Sequence, residues 1–152
     1  MKVTKAQVEA NRAHIVDTAC TLFRERGYDG VGVAELMATA GLTHGGFYRH
    51  FGSKAELMAE AAACGVAKTQ SLLGGVNMAD FIGHYVSREH RDDRSGGCTL
   101  AALCGDAARQ PEAIKTTFAT GLESILADLL GADSAHTEEA RRAARARAID
   151  TI

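Results

Sequence analysis

Two short apolar-periodic stretches meet at a glycine, and that junction limits what the chain can fold into more than any other feature. Val33, Leu36, Met37 and Ala40 mark about two helical turns, Gly41-Leu42-Thr43 follows, and Phe47, Tyr48 and Phe51 mark a second short helix closed by Gly52. Apolar residues at 36, 37, 40, 42, 47 and 51 can lock the crossing angle, and Gly41 permits the tight turn between the two helices. By spacing alone the pair is either a helix-turn-helix or a plain αα corner. Composition places it in an all-α chain. One Pro, no Trp and an abundance of Ala, Leu, Glu and Arg favour helix over sheet. With 152 residues, 46% hydrophobic and 24% charged, the chain is globular and too short for a barrel or a doubly wound enzyme.

The remaining helices are announced by caps and breakers. Thr4 with Gln7 has capping-box spacing and opens a first helix carrying Val8, Ile15, Ala19, Leu22 and Phe23 on one face, ended by Gly27. Ser53 with Glu56 is a second capping box, opening a longer helix with Leu57, Ala61, Gly65, Thr69 and Leu72 on one face until Gly74-Gly75. Asn77 can cap a helix bearing Phe81, Ile82, Tyr85 and Val86, whereas the polar stretch from Arg88 to Gly97 lacks periodicity and reads as a loop. A short helix around Leu100 and Leu103 leads to Pro111, after which Ile114, Phe118, Leu122, Ile125 and Leu129 mark a long amphipathic helix. Thr137-Glu138-Glu139 begins a last, Arg- and Ala-rich helix, and the chain stops at Ile152 inside it. The expected organisation is a head over residues 1–54 that carries the two short helices and a helical body over 55–152, either naturally short or cut at its C-terminus.

Charge and cysteine usage narrow the function classes. Residues 1–54 hold seven Lys/Arg against five Asp/Glu and the remainder ten against fourteen, a mildly basic head on an acidic body that suits a polyanion at one end. The four cysteines at 20, 64, 98 and 104 form no CxxC pair and read as reduced, buried thiols. His84, His90, Asp92, Asp93, Cys98 and Cys104 lack metal-ligand spacing, so no metal and no cofactor are expected. Cys98 or Cys104 could be a redox-sensing thiol given a cationic or helix-N-terminal setting, and Cys98 opens a helix. No apolar run reaches the roughly 18 residues of a membrane span, and charged residues punctuate the first thirty positions, so the chain is expected to stay in the cytoplasm, away from membranes.

The run from Ile15 to Leu57 resembles the DNA-binding head of the tetracycline-repressor (TetR) family of bacterial regulators. The likeness rests on Ala19-x-x-Leu22-Phe23, Gly27-Tyr28, Ala40-Gly41-Leu42-Thr43 and Gly45-x-Phe47-Tyr48-x-x-Phe51-x-x-Lys54. It implies double-stranded DNA as partner, with phosphate contacts at Thr43, Tyr48 and Lys54 and base or phosphate contacts at His44, Gly45, Arg49 and His50. The N–H groups of the helix starting at Ser53 are a further expected phosphate site. Gly32 and Gly46 depart from the family pattern, where a capping hydroxyl and a Thr, Ser or Ala are usual. His90-Arg91-Asp92-Asp93 followed by Gly97-Cys98-x-Leu100-Ala101-Ala102-Leu103 resembles one subgroup of the family's bodies.

For the whole chain the resemblance implies no enzyme but a one-component transcriptional regulator, a homodimeric repressor on an inverted-repeat operator, released by a small molecule. Phe81, Tyr85, Leu103, Cys104, Phe118 and Leu122 are the expected pocket residues, and their apolar character points to a hydrophobic effector. The alternatives are an enzyme, a helical interaction module without DNA binding, and a cysteine-based redox regulator without an effector.

Overall fold

A 22-residue helix, α1 (Lys5–Arg26), forms the spine of the N-terminal half. In the computed structural model, which describes residues 4–73, 76, 78–130, 142, 143, 146 and 149, every regular element is helical. Thr4 caps α1 as expected, its hydroxyl accepting from the Gln7 N–H at 3.2 Å. Gln7 does not complete the capping box, because its side-chain amide donates to Asn11 at 2.9 Å instead. Ile15, Ala19, Leu22 and Phe23 are buried, while Val8 is exposed on the first turns of the helix.

The two short helices pack beneath α1. The first, α2 (Val33–Thr39), buries Leu36 and Met37 and, as the glycine at position 32 implied, has no side-chain cap. Arg26 and Glu35 form an ion pair between α1 and α2, and His14 Nε2 donates to the Ala40 carbonyl at 3.2 Å. Gly41, at φ 69°, makes the turn. The second is a 3-10 helix over His44–Arg49, shorter and tighter than the expected helix through Phe51, and Thr43 gives it no side-chain cap. Adjacent Gly45 and Gly46 explain the difference, since two glycines lack the propensity to hold an α-helical turn by themselves.

The long α3 (Lys54–Leu73) links this head to the rest of the molecule, which comprises α4 (Met78–Tyr85), α5 (Arg88–Asp92), α6 (Thr99–Ala107) and α7 (Glu112–Leu130). Helix α5 corrects the expected loop: Ser87 caps it by accepting from the His90 N–H at 3.1 Å. A five-residue helix held by its cap has no room for apolar periodicity, the signal whose absence suggested a loop. The chain then turns at Asp93, whose carboxylate accepts from the Gly96 N–H and the Ser95 hydroxyl, both at 2.9 Å.

Helices α3, α6 and α7 pack closely through small residues. A Cβ at Gly65 on α3 would overlap the buried Thr99 of α6, and one at Gly121 on α7 would lie 2.8 Å from Val66. One apolar core runs without interruption from Ile15, Phe23 and Phe47 through Leu57 to Leu103, Ile114 and Phe118, crossing the expected boundary at residue 54. Leu72, expected on the inner face of α3, is exposed. Gly74, Gly75 and Asn77 lie outside the described residues, as does the start of the expected last helix at 137–139; the described positions 142, 143, 146 and 149 are helical.

Candidate nucleic-acid interface

The 3-10 helix has one face in the core and the other in solvent. Phe47 and Phe51 are buried and stacked with centroids 5.5 Å apart, and they anchor the helix against α1, where the Arg12 guanidinium lies 4.2 Å above the Phe51 ring. This fixes the opposite side outward. Thr43, His44, Gly45, Tyr48 and Arg49 are exposed, with Tyr48 at 68%, and the His44 and Tyr48 rings sit 6.5 Å apart. Although its hydrogen bonds are of the i+3 type, the helix alternates its faces by i+4: 44 with 48 and 45 with 49 point out, 47 with 51 points in.

The exposed face has the chemistry of an anion-reading surface. No Asp or Glu occurs between Glu35 and Glu56, and among the described residues no acidic partner engages the Arg49 guanidinium. A free guanidinium can grip a phosphate or the acceptor edge of guanine with two parallel hydrogen bonds. Tyr48 and Thr43 supply hydroxyls. His50, at the end of the helix, is half-buried, and its Nδ1 is buried without a hydrogen-bond partner among the described residues.

Two expected phosphate sites are placed differently. At the start of α3 the Ser53 hydroxyl accepts from the Glu56 N–H at 3.1 Å, and the Glu56 carboxylate accepts from the Gly52 N–H at 2.8 Å. The Gly52 hydrogen bond, helped by Arg12, holds the Glu56 carboxyl below its ordinary value. The Glu56 carboxylate thus stands at that helix end, with the Gly52 and Glu56 N–H groups taken by the cap. Lys54 is half-buried, and its ammonium donates to the Tyr28 carbonyl at 2.6 Å, leaving two of its three N–H groups for a phosphate.

Of the expected effector residues, Leu103 and Phe118 are buried in the common core, whereas Cys104 and Leu122 are exposed, Leu122 at 43%. Phe81 and Tyr85 lie together, half-buried on α4 with ring centroids 5.5 Å apart, and Cys104 is near enough to Tyr85 to act on its hydroxyl. Burial, with Cys98 beside it, pushes the Tyr85 hydroxyl up to about 12. A cleft of about 390 Å³ adjoins Tyr85, between the end of α1, α5 and the start of α6, lined by Arg24, Arg94, Cys98, Ala101 and His90, whose ring centroid lies 4.7 Å from that of Tyr85, among others. The cysteines are not uniformly buried as expected: Cys20 is buried, Cys64 and Cys98 are half-buried and Cys104 is exposed.

Residues 15–61, which span this whole arrangement, match the model of the bacterial regulatory proteins of the tetR family. The match covers the head, about a third of the chain, and over those residues the chain is similar to TetR-family regulators. Its head is 37% identical over 57 residues to the HTH-type transcriptional regulator AcrR of Shigella flexneri, covering 38% of this chain and 26% of that protein. It is 38% identical over 55 residues to the HTH-type transcriptional regulator TtgR of Pseudomonas putida, covering 36% of this chain and again 26% of the relative. Thus the likeness to these curated TetR-family regulators spans about a quarter of their length. The TetR fold extends further. The structure of E. coli NemR in its reduced form aligns over 93% of this chain and 83% of its own, with a TM-score of 0.73 and 21% identity. A TetR-family regulator from Agrobacterium tumefaciens aligns over 94% and 82%, with a TM-score of 0.74 and 19% identity.

Proposed function

We propose that this protein is a one-component transcription regulator whose exposed helix face, Thr43 to Arg49, reads double-stranded DNA. The observation that carries the reading is that face itself: aromatic anchors bury one side of the helix and leave Arg49, without an acidic partner among the described residues, beside Tyr48, His44 and Gly45 on the other. In the proposal, residues 1–54 form the reading head and 55–152 the sensing and dimerising body. A homodimer places two heads on an inverted repeat about 34 Å apart, one turn of DNA. It acts as a repressor until a small effector enters the body, and it works beside the chromosome in the cytoplasm; among the described residues no helix is long and apolar enough to cross a membrane.

A hydrophobic effector remains the proposal for the body, met by Phe81, Tyr85, Leu103, Cys104, Phe118 and Leu122; the pairing of the Phe81 and Tyr85 rings and the nearness of Cys104 to Tyr85 support it. Thiol sensing is a second reading, favoured by the exposure of Cys104 and the place of Cys98 on the cleft beside Arg24 and Arg94. One experiment tests the main proposal: passage over immobilised random duplex in a salt gradient, followed by selection of bound sequences from a random pool. Retention that weakens steeply with salt, with inverted repeats enriched, is expected. Flow-through at low salt refutes it.

A further inference from the structure

One residue between the body and the head, Tyr28, is held through its backbone from both sides. The Tyr28 N–H donates to Asp106 Oδ2 on α6 at 3.2 Å, and the Tyr28 carbonyl accepts from the Lys54 ammonium at 2.6 Å. Asp106 can come this close only because residue 27 is a glycine. Its φ is 73°, a conformation that side chains disfavour, and a Cβ there would lie 2.5 Å from Asp106 Oδ2. The other carboxylate oxygen accepts from Arg109 at 2.9 Å, which orients the group. Tyr28 is itself rigid, 1% exposed and packed edge-on against Phe23 at 5.1 Å.

A second tie runs parallel to the first. Arg24, 9% exposed near the end of α1, donates to the Ser95 carbonyl at 2.7 Å and to the Thr99 hydroxyl at 3.3 Å, so the turn leading into α6 is also fastened to α1. A shift of α6 therefore moves the Tyr28 backbone. Through Lys54 the same residue holds the first residue of α3, which follows the reading helix after His50, Phe51, Gly52 and Ser53.

We infer that Asp106 is a positioning residue through which the body and the DNA-reading head sense each other, with Gly27, Tyr28 and Lys54 as the joint. The inference rests on the DNA-binding reading proposed above. Linkage makes the coupling reciprocal: if the state of α6 biases the head, DNA on the head must bias α6. No effector is needed to see it.

Amide hydrogen exchange of the full chain, with and without a duplex selected from the random pool, reads the effect. In the wild type, bound duplex slows exchange across α6 by about fivefold or more. Asp106→Asn keeps a carbonyl for the Tyr28 N–H and retains the slowing. Asp106→Ala, and Asp106→Ser as a second variant too short to reach, still bind duplex but lose it. A purely structural Asp106 would raise α6 exchange equally in both states and leave the duplex-dependent slowing intact, which overturns the inference. So does a wild type that binds duplex with no change in α6. Failure to bind any duplex overturns the functional reading instead, and the two failures are told apart by the retention assay.

Discussion

Replacing each glycine of the reading helix by alanine separates what that helix needs for folding from what it needs for DNA. Neither glycine has a left-handed backbone, so alanine is conformationally admissible at both. At position 46 the new Cβ would lie 3.4 Å from Thr43 Oγ1 and 3.7 Å from Met37 Cε, ordinary contact distances, and at position 45 it would meet nothing within 4 Å. Removing backbone freedom from the unfolded chain stabilises by about 0.4–1 kcal/mol at each position. The Met37 contact adds a few tenths at 46 only, so Gly46→Ala gains about 1 kcal/mol in total. For a chain of this size that raises Tm by about 2–4 °C. On DNA the two variants part company. Gly46→Ala stiffens the helix from its inner side and tightens duplex binding by up to about fivefold, the equivalent of that 1 kcal/mol. Gly45→Ala places a methyl on the exposed side, where the backbone must approach the groove, and weakens binding about tenfold or more, as loss of one close contact set would. Thermal melting followed by circular dichroism and fluorescence anisotropy on a selected duplex at fixed salt give both numbers. Unchanged DNA affinity in Gly45→Ala refutes the placement of the interface, and a lowered Tm in Gly46→Ala refutes the packing argument.

Three further outcomes are expected. Arg49→Ala should cost about 1–3 kcal/mol on the selected duplex and relax one base position, whereas Tyr48→Phe should weaken selected and random duplexes alike; competition binding distinguishes them. Gly65→Ala drives a methyl into Thr99, and overpacking of this kind costs about 1–3 kcal/mol, visible as a lower midpoint in urea while Thr99→Ala in the same chain restores part of the loss. Glu56, held below its ordinary value of 4.5, contributes stability that is fully present above that value and is lost as pH falls through the lower folded value. Acid titration of helicity should therefore fall less steeply in Glu56→Gln than in the wild type, and equal slopes would show that the Gly52 and Arg12 contacts contribute nothing.

The reading head was legible because its signals are local. Ser53 and Glu56 stand at capping distance, Phe47 and Phe51 share a helix face, and Gly27 and Gly41 stand where the backbone has positive φ. Local signals failed where short helices depend on something other than periodicity: α5 hangs on the Ser87 cap, and Gly45-Gly46 turns an expected α-helix into a 3-10 one. Long-range contacts were not legible at all. Leu103 and Leu122 have the same apolar character, yet one is core and the other surface, because only the packing of α6 and α7 on α3 decides which side of each helix is covered. The Asp106 to Tyr28 hydrogen bond joins residues 78 apart, and Lys54, expected to face phosphate, is also drawn to the backbone of that same residue.

The most direct test of the account is an amide chemical-shift map of the isotopically labelled chain titrated with a selected inverted-repeat duplex. The account predicts the largest perturbations from Thr43 to His50, with Arg49 foremost, and none of comparable size along α7. Perturbations centred on another face, or uniform small shifts with no saturation, would contradict it.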